Sequence, residues 1–216
     1  MKKIIVLVAL ILLSVVSIAQ IKFGVRGGMT LSSYNSAQVF YKFKPGVHIG
    51  GVADIPLGSS KFSFVPGVYF ADKGAKIDHS QYPTNSSHYL DYYFTENRYS
   101  YQLQVPLLFT YNIPINDKIK LKPQIGVYLS YRILGIYNEK RDYVGTVSSD
   151  YPTELTSYHY FYEKNGSMWG HGGNIGLSIF YNKFSYTFSC DVGDSNDVLS
   201  PEYPDICMFF SLGYNF

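Results

Sequence analysis

An alternation of apolar and polar residues with a period of two recurs along this chain, and it constrains the fold more than any other feature. It is clearest in residues 99–112, where Leu103, Val105 and Leu107 alternate with Gln102 and Gln104. Because successive side chains of a β-strand point to opposite faces, such a segment predicts a strand that is apolar on one face and polar on the other. An amphipathic helix would instead repeat its apolar residues every three to four positions.

Eight segments carry this alternation, and together they predict an all-β chain. Tyrosine, phenylalanine and glycine are abundant, with 22, 15 and 19 residues, which favours aromatic-rich strands joined by tight turns. The last segment places Phe210, Leu212, Tyr214 and Phe216 on its apolar face. The eight segments are 21–31, 47–57, 62–74, 99–112, 119–133, 169–181, 184–191 and 206–216.

The connections between these segments are short and long in turn. The short connections are 57–60, 113–117 and 182–183, and the long polar ones are 32–45, 75–98, 135–167 and 192–205. In barrels of the bacterial outer membrane, short periplasmic turns alternate with longer outer loops. The order therefore predicts an eight-stranded antiparallel up-and-down transmembrane β-barrel in the cell outer membrane. A soluble β-sandwich is the alternative, although it has no reason to sort its loops in this way.

The first residues have the features of a secretory signal. Lys2 and Lys3 precede an apolar run over residues 4–16, and Ser17 and Ala19 are small residues at the positions that a signal peptidase reads. We expect a signal peptide at 1–19, cleavage before Gln20 and a barrel domain at 20–216; an uncleaved anchor is the alternative. Without the two lysines, the 18 basic residues fall to 16 and equal the 16 acidic ones, so the net charge gives no indication of nucleic-acid binding.

The two faces of the strands predict what the barrel encloses. An eight-stranded barrel is just wide enough for its side chains to fill it, so we expect a plugged polar interior that does not conduct solutes. An open pore is the alternative. The predicted polar network of the lumen is Arg26, His48, Asp54, Lys73, Gln102, Gln104, Arg132 and Asn174. The predicted lipid-facing residues are Leu103, Val105, Leu107, Ile125, Val127 and Leu129.

Four motifs resemble the PorT-like outer-membrane β-barrel family of Bacteroidetes. They read FGVRGGMTL at 23–31, GGVADIPL at 50–57, QVPLL at 104–108 and LGYNF at 212–216. The resemblance implies a small OmpA/OmpX-like barrel whose last strand, with Phe210, Leu212, Tyr214 and Phe216, is the signal read by the barrel-assembly machinery. The founding member is linked to protein secretion and gliding, so an accessory role in secretion or envelope integrity is one alternative that the resemblance suggests.

Candidate catalytic residues lie in the outer segments without a motif that joins them. These residues are His79, His88, His159 and His171, with Ser80, Ser87 and Ser157 nearby. No local spacing ties a nucleophile to a base and an orienting carboxylate, so we expect a non-enzymatic protein without cofactor or metal. The alternative is an outer-membrane lipid-modifying enzyme of the lipid A acyltransferase or deacylase type. Whether Cys190 and Cys207 form a disulfide is left open by the sequence.

The tyrosine-rich outer segments are the predicted binding surface. They contain Tyr82, Tyr89, Tyr92, Tyr93, Tyr137, Tyr143, Tyr151, Tyr158, Tyr160 and Tyr162. Tyrosine mixed with Ser and Asn is common in recognition loops, but strands that extend above the membrane would carry the same residues. The expected partners are outer-membrane lipid, the barrel-assembly machinery and an extracellular ligand or envelope protein. Lys118, Lys120 and Lys122 lie beside a periplasmic turn, where they would meet anionic lipid or water.

Overall fold

The computed structural model describes residues 21–34, 41–82, 92–143, 154–159, 168–194 and 204–216. The predicted signal peptide and its cleavage site lie outside these residues. The described residues form ten strands. They are β1 (Lys22–Tyr34), β2 (Lys44–Pro56), β3 (Phe62–Tyr82), β4 (Tyr92–Tyr111), β5 (Ile113–Pro114), β6 (Ile119–Tyr143), β7 (Glu154–His159), β8 (Trp169–Tyr181), β9 (Phe184–Asp194) and β10 (Pro204–Asn215). Among the described residues, no helix is long and apolar enough to cross a membrane.

Eight of the strands close into an antiparallel barrel, which confirms the predicted fold. The hydrogen-bonded order is β1, β2, β3, β4, β6, β8, β9 and β10, and β10 pairs with β1 to complete the circle. The closing seam runs from Gly24 opposite Asn215 to Tyr34 opposite Asp205. Closure leaves no open sheet edge at the depth of the bilayer, which is what allows a β-structure to span lipid.

The three short connections lie at the same end of the barrel as the start of β1 and the end of β10. Gly58 in the β2–β3 turn and Asn182 in the β8–β9 turn have positive φ angles, 62° and 54°, which tight reversals of the chain require. The backbone amide of Phe216 donates a hydrogen bond of 2.9 Å to the carbonyl of Phe23, which brings the last residue to the start of β1. By the usual topology of outer-membrane barrels, this side is periplasmic.

Three strands are longer than the sequence predicted, so the proposed loops at 75–98 and 135–167 are wrong in extent. β3 continues to Tyr82, β4 begins at Tyr92, and β6 continues to Tyr143, where β7 joins it as a further antiparallel strand. These outer portions have polar residues on both faces, so they lack the apolar alternation that marks a membrane strand. Their backbone hydrogen bonds nevertheless continue beyond the barrel, as the pairing of Glu96 with Glu139 shows.

A β-bulge in β6 lies at the point where this outer sheet begins. Tyr101 of β4 is opposite Leu134, whereas Gln102 is opposite Arg132, so Ile133 is an extra residue in β6. An extra residue changes which side chains of a strand face inward. Beyond the bulge, Tyr137 of β6 is therefore aligned with Arg98 of β4.

The burial pattern is that of a barrel with a polar interior and an apolar exterior. Side chains on the outer face remain exposed, as Ile125 does at 63%, and aromatic pairs lie near both edges of the apolar belt. The rings of Tyr131 and Trp169 are 5.0 Å apart near the outer edge, and those of Phe184 and Tyr214 are 5.4 Å apart near the periplasmic edge. Such aromatic girdles mark the two interfaces of an outer-membrane barrel.

Candidate functional site

A single carboxylate, Asp191 of β9, organises the centre of the lumen. Its side chain is 0% exposed. Lys73 Nζ lies 3.2 Å from Asp191 Oδ2, and Gln104 Nε2 donates a hydrogen bond of 2.7 Å to the same oxygen. Asn174 Nδ2 donates to Asp191 Oδ1 at 2.5 Å. Four strands, β3, β4, β8 and β9, are thus joined across the lumen by one acceptor.

Lys73 is buried against aromatic rings as well as carboxylates. Its Nζ is 4.7 Å from the centre of the Tyr128 ring and 5.5 Å from that of Phe209, and it lies 3.9 Å from Asp205 Oδ2. A cation over an aromatic face gains electrostatic attraction, and more of it where water is excluded. Lys73 therefore has both charge partners and close packing, which together permit an ammonium group with 1% exposure inside the barrel.

Further hydrogen bonds fill the space around this cluster. Gln124 Nε2 donates to Asn174 Oδ1 at 3.1 Å, and the Ser178 and Thr187 hydroxyls are 2.7 Å apart. His48 Nε2 lies 2.8 Å from Ser211 Oγ. The cavity that is left here, beside Arg26 and His48, is about 30 Å³, room for roughly one or two water molecules. The centre of the lumen is a packed plug.

The eight residues predicted for the lumen network all lie on its walls, although not in one cluster. Lys73, Gln104 and Asn174 surround Asp191, whereas Gln102 and Arg132 donate to Ser100 Oγ at 2.9 and 3.1 Å, nearer the outer end. Asp54, which is half-buried, is paired with Lys122 at the periplasmic end. Arg26 and His48 are buried in the lumen between its outer and periplasmic ends.

The six residues predicted to face lipid lie on the outer surface. Leu103 is 43% exposed, and Leu107 is half-buried between its neighbours. In the last strand, Phe210, Leu212 and Phe216 are exposed and Tyr214 is half-buried. The remaining lipid-facing residues, all exposed, are Val105, Ile125, Val127 and Leu129.

Sequence reasoning did not identify Asp191 as the centre of the network. It lies on the polar face of residues 184–191, so its inward direction could be predicted, but its partners come from strands far apart in the chain. Lys73 could have indicated such a residue, because a lysine on the inward face of a barrel strand requires a carboxylate at the same depth. Alternation gives the direction of a side chain and does not give its depth relative to other strands.

A second polar cluster lies at the outer rim, just beyond the bulge. Arg98 Nε is paired with Glu96 Oε1, and the Tyr137 hydroxyl donates to Glu139 Oε2. The Arg98 guanidinium lies 5.5 Å from the Tyr41 ring centre and 6.0 Å from that of Tyr137. Burial raises the pKa of Tyr137, and the hydrogen bond to Glu139 raises it further, so this phenol remains a protonated donor even in alkaline solution.

The predicted catalytic candidates are not brought into one site by the described residues. His171 is exposed on β8, His79 and Ser80 lie on β3, and Ser157 and His159 lie on β7. His88 and Ser87 lie outside the described residues, as do Tyr89, Tyr151, Tyr160 and Tyr162. In the part of the chain that the structure describes, no group of three His, Cys, Asp or Glu residues could hold a metal ion. Cys190 and Cys207 are both free thiols.

The basic cluster predicted beside the β4–β6 turn is divided by the structure. Lys122 is buried in the lumen against Asp54, Lys120 lies at the periplasmic opening, and Lys118 is exposed in the turn. The division follows from the period of the strand, because Lys120 and Lys122 share the inward face of β6 while Lys118 precedes it.

Comparisons with known proteins identify a family and several similar structures. The family described as "Outer membrane protein beta-barrel domain" matches residues 18–193. A comparison with curated protein sequences finds no match.

Three solved structures are similar to the chain. The attachment invasion locus protein Ail of Yersinia pestis, solved with the heparin analogue sucrose octasulfate, has 14% identity and a TM-score of 0.44 over 91% of this chain and 99% of that one. Neisserial surface protein A has 14% identity and a TM-score of 0.46 over 90% of this chain and 97% of its own. A major outer membrane protein of Thermus thermophilus has 15% identity and a TM-score of 0.45 over 91% of this chain and 100% of its own.

Proposed function

This chain belongs to the outer membrane protein beta-barrel domain family and lies in the cell outer membrane, and from that premise we propose that it is a non-enzymatic structural or surface-binding protein. The observation that carries the proposal is the packed centre of the lumen. Lys73, Gln104 and Asn174 each bond to Asp191, and the four side chains occupy the cross-section, so little space is left for a solute. A barrel without a passage acts through the surfaces that it presents.

The outer sheet is the surface that we propose for binding. β3, β4, β6 and β7 extend beyond the barrel and form a paired sheet, which is a rigid support for recognition residues. At its base, Tyr41, Arg98 and Tyr137 combine aromatic faces with a guanidinium group. Tyrosine and arginine are enriched at protein interfaces because each offers a large contact area together with hydrogen-bond donors.

The finer assignment follows the sequence resemblance. We place the chain among the PorT-like barrels of Bacteroidetes, with a signal peptide at 1–19 and an assembly signal at Phe210, Leu212, Tyr214 and Phe216. The exposed aromatic side chains of the last strand support the second point, because they are available on the outer surface to an assembly factor. An accessory role in secretion or envelope integrity fits a barrel that has surfaces and no passage.

A replacement of residues 138–165 by a short Gly-Ser linker tests the proposed surface. It removes β7 and the end of β6 but leaves the eight membrane strands, so the barrel should fold and keep heat-dependent gel mobility. Cells that produce this variant should lose adhesion or envelope integrity to the same degree as a deletion strain. Replacing Asn116 and Asp117, in the periplasmic turn before β6, with the same linker residues should keep both properties.

Two results would contradict the proposal. Large, stable single-channel currents from the purified protein in planar bilayers would show a passage and favour a porin. A change in lipid A structure on deletion of the gene, detected by mass spectrometry and restored by the wild-type copy, would favour the lipid-modifying enzyme.

A further inference from the structure

The periplasmic end of the lumen is an open, strongly basic cavity. Its volume is about 490 Å³, within the range of small-molecule sites. Five lysines line it: Lys22, Lys61, Lys120, Lys122 and Lys183. We call this cavity the periplasmic mouth. It lies below the packed centre and is distinct from the outer sheet.

The positive charge of the mouth is mostly uncompensated. Lys122 is neutralised by Asp54 and packs 4.8 Å from the Phe180 ring centre. Lys22, Lys61 and Lys120 are exposed, and none of the three has a carboxylate partner among the described residues. Asp54 is the acidic side chain among the described residues that line it, so lysine ammonium groups remain in excess.

The strand pattern explains why these lysines converge. Lys22 shares the inward face of β1 with Arg26, and Lys120 shares that of β6 with Lys122. Lys61 lies in the bend just before β3 and lines the same cavity. The charges of the three lysines therefore face one space from two strands and a turn, and mutual repulsion is relieved when an anion enters it.

We propose that the periplasmic mouth binds an anion that carries several phosphate groups. A phosphate group offers up to two negative charges and three acceptor oxygens, so a few such groups neutralise many ammonium groups within a small volume. Lysine binds phosphate as a compact point charge that does not require the planar fork of arginine. The same chemistry is available in a soluble polyphosphate and in the headgroup of a phospholipid that carries two phosphate groups, such as cardiolipin.

Isothermal titration with sodium tripolyphosphate tests the site. The full-length mature protein is purified in an uncharged maltoside detergent and titrated at low ionic strength. The mouth variant combines Lys22→Gln, Lys61→Gln and Lys120→Gln. Its control combines Lys42→Gln, Lys118→Gln and Lys140→Gln, which removes the same charge from exposed positions that do not line the mouth.

Tripolyphosphate should bind the wild type, and the mouth variant should weaken binding about tenfold or more while the control changes it by less than about twofold. Nanodiscs that contain cardiolipin, whose headgroup carries two phosphate groups, then identify the source of phosphate. If they compete with tripolyphosphate and nanodiscs of phosphatidylcholine do not, the natural ligand is a headgroup; if neither competes, it is soluble. Both outcomes support a phosphate site.

Three outcomes overturn the proposal. Absence of tripolyphosphate binding to the wild type removes the site. Equal weakening in the two triple variants shows that binding follows net charge and does not depend on the mouth. Citrate binding as tight as that of tripolyphosphate shows an unselective anion site. Both triple variants replace exposed lysines, so heat-dependent gel mobility should confirm that each has folded.

Discussion

The centre of the lumen and the periplasmic mouth use charged residues in opposite ways. At the centre, Lys73 and Asp191 are fully buried and bonded to each other; the Gln104 amide donates to the oxygen that Lys73 contacts and the Asn174 amide donates to the other. At the mouth, Lys22, Lys61 and Lys120 are exposed without carboxylate partners among the described residues. The cavity at the centre is about 30 Å³ and the one at the mouth about 490 Å³.

This difference shows how depth decides the role of a charge. A charge removed from water must be paired, so the central residues are coupled and the loss of one leaves others uncompensated. A charge in contact with water costs little when unpaired, so lysines at the mouth are free to meet a ligand. Substitutions should therefore have effects that decrease from the centre to the mouth.

Asp191→Ala should have the largest effect. Among the described residues, it leaves Lys73 with the more distant carboxylate of Asp205, and it leaves the Gln104 and Asn174 amides without this acceptor. Breaking a buried ion pair from one side costs about 3 to 5 kcal/mol. The free energy of unfolding should be measured with urea in lipid vesicles where folding is reversible.

The double variant Lys73→Met with Asp191→Leu is the control for this prediction. Removing both charges should restore part of the lost stability, because no uncompensated ammonium group remains, while the Gln104 and Asn174 amides still lack their acceptor and Asp205 loses its contact with Lys73. If Asp191→Ala is as stable as the wild type, the central cluster does not hold the barrel together.

Leu103→Arg should have the second largest effect. Leu103 is 43% exposed on the lipid-facing side, next in sequence to the inward Gln104. A charged side chain near the bilayer midplane costs about 2 to 4 kcal/mol. Leu103→Met, which keeps an apolar side chain of similar volume, should cost less than about 1.5 kcal/mol in the same unfolding assay. Equal stability of the two variants would show that position 103 does not face lipid.

The alternation along each strand was sufficient to predict the fold and the direction of most side chains. Leu103 and Gln104 illustrate this, because opposite directions follow from their adjacency alone. The contacts around Asp191 could not be predicted in this way, since they depend on the shear that sets the relative depth of β3, β4, β8 and β9.

Strands that extend above the membrane were one interpretation of the tyrosine-rich segments, but the extent of the outer sheet could not be predicted, for a different reason. Glu96, Arg98 and Glu139 occur in a segment without an apolar face, and such a segment is indistinguishable from a polar loop in sequence. The bulge at Ile133 could not be predicted from the sequence either, because an extra residue is defined only relative to the partner strand. The pairings of β4 with β3 and β6, and of β6 with β7, show that these residues form a sheet.

Asp54→Asn should have an intermediate effect that tests where the centre ends and the mouth begins. Asp54 is half-buried and pairs with Lys122, which water can still reach in part. We expect a loss of about 1 kcal/mol, less than for Asp191→Ala, because solvent compensates part of the lost pair. A loss as large as that of Asp191→Ala in urea unfolding would extend the coupled central network down to Asp54.

Lys120→Gln should have the smallest effect on stability, and that effect should depend on salt. Lys120 is exposed at the mouth and faces the same cavity as Lys22 and Lys61, so its removal relieves repulsion and breaks no ion pair. We expect the free energy of unfolding to stay within about 0.5 kcal/mol of the wild type, with a slight gain at low ionic strength. Salt screens charges that are exposed to water, so the gain should disappear when the ionic strength is raised. Lys118→Gln, two residues earlier and outside the mouth, should show no gain at either ionic strength. A loss of more than about 1 kcal/mol for Lys120→Gln would mean that the mouth lysines belong to the structural network, and the contrast between the two ends of the lumen would no longer hold.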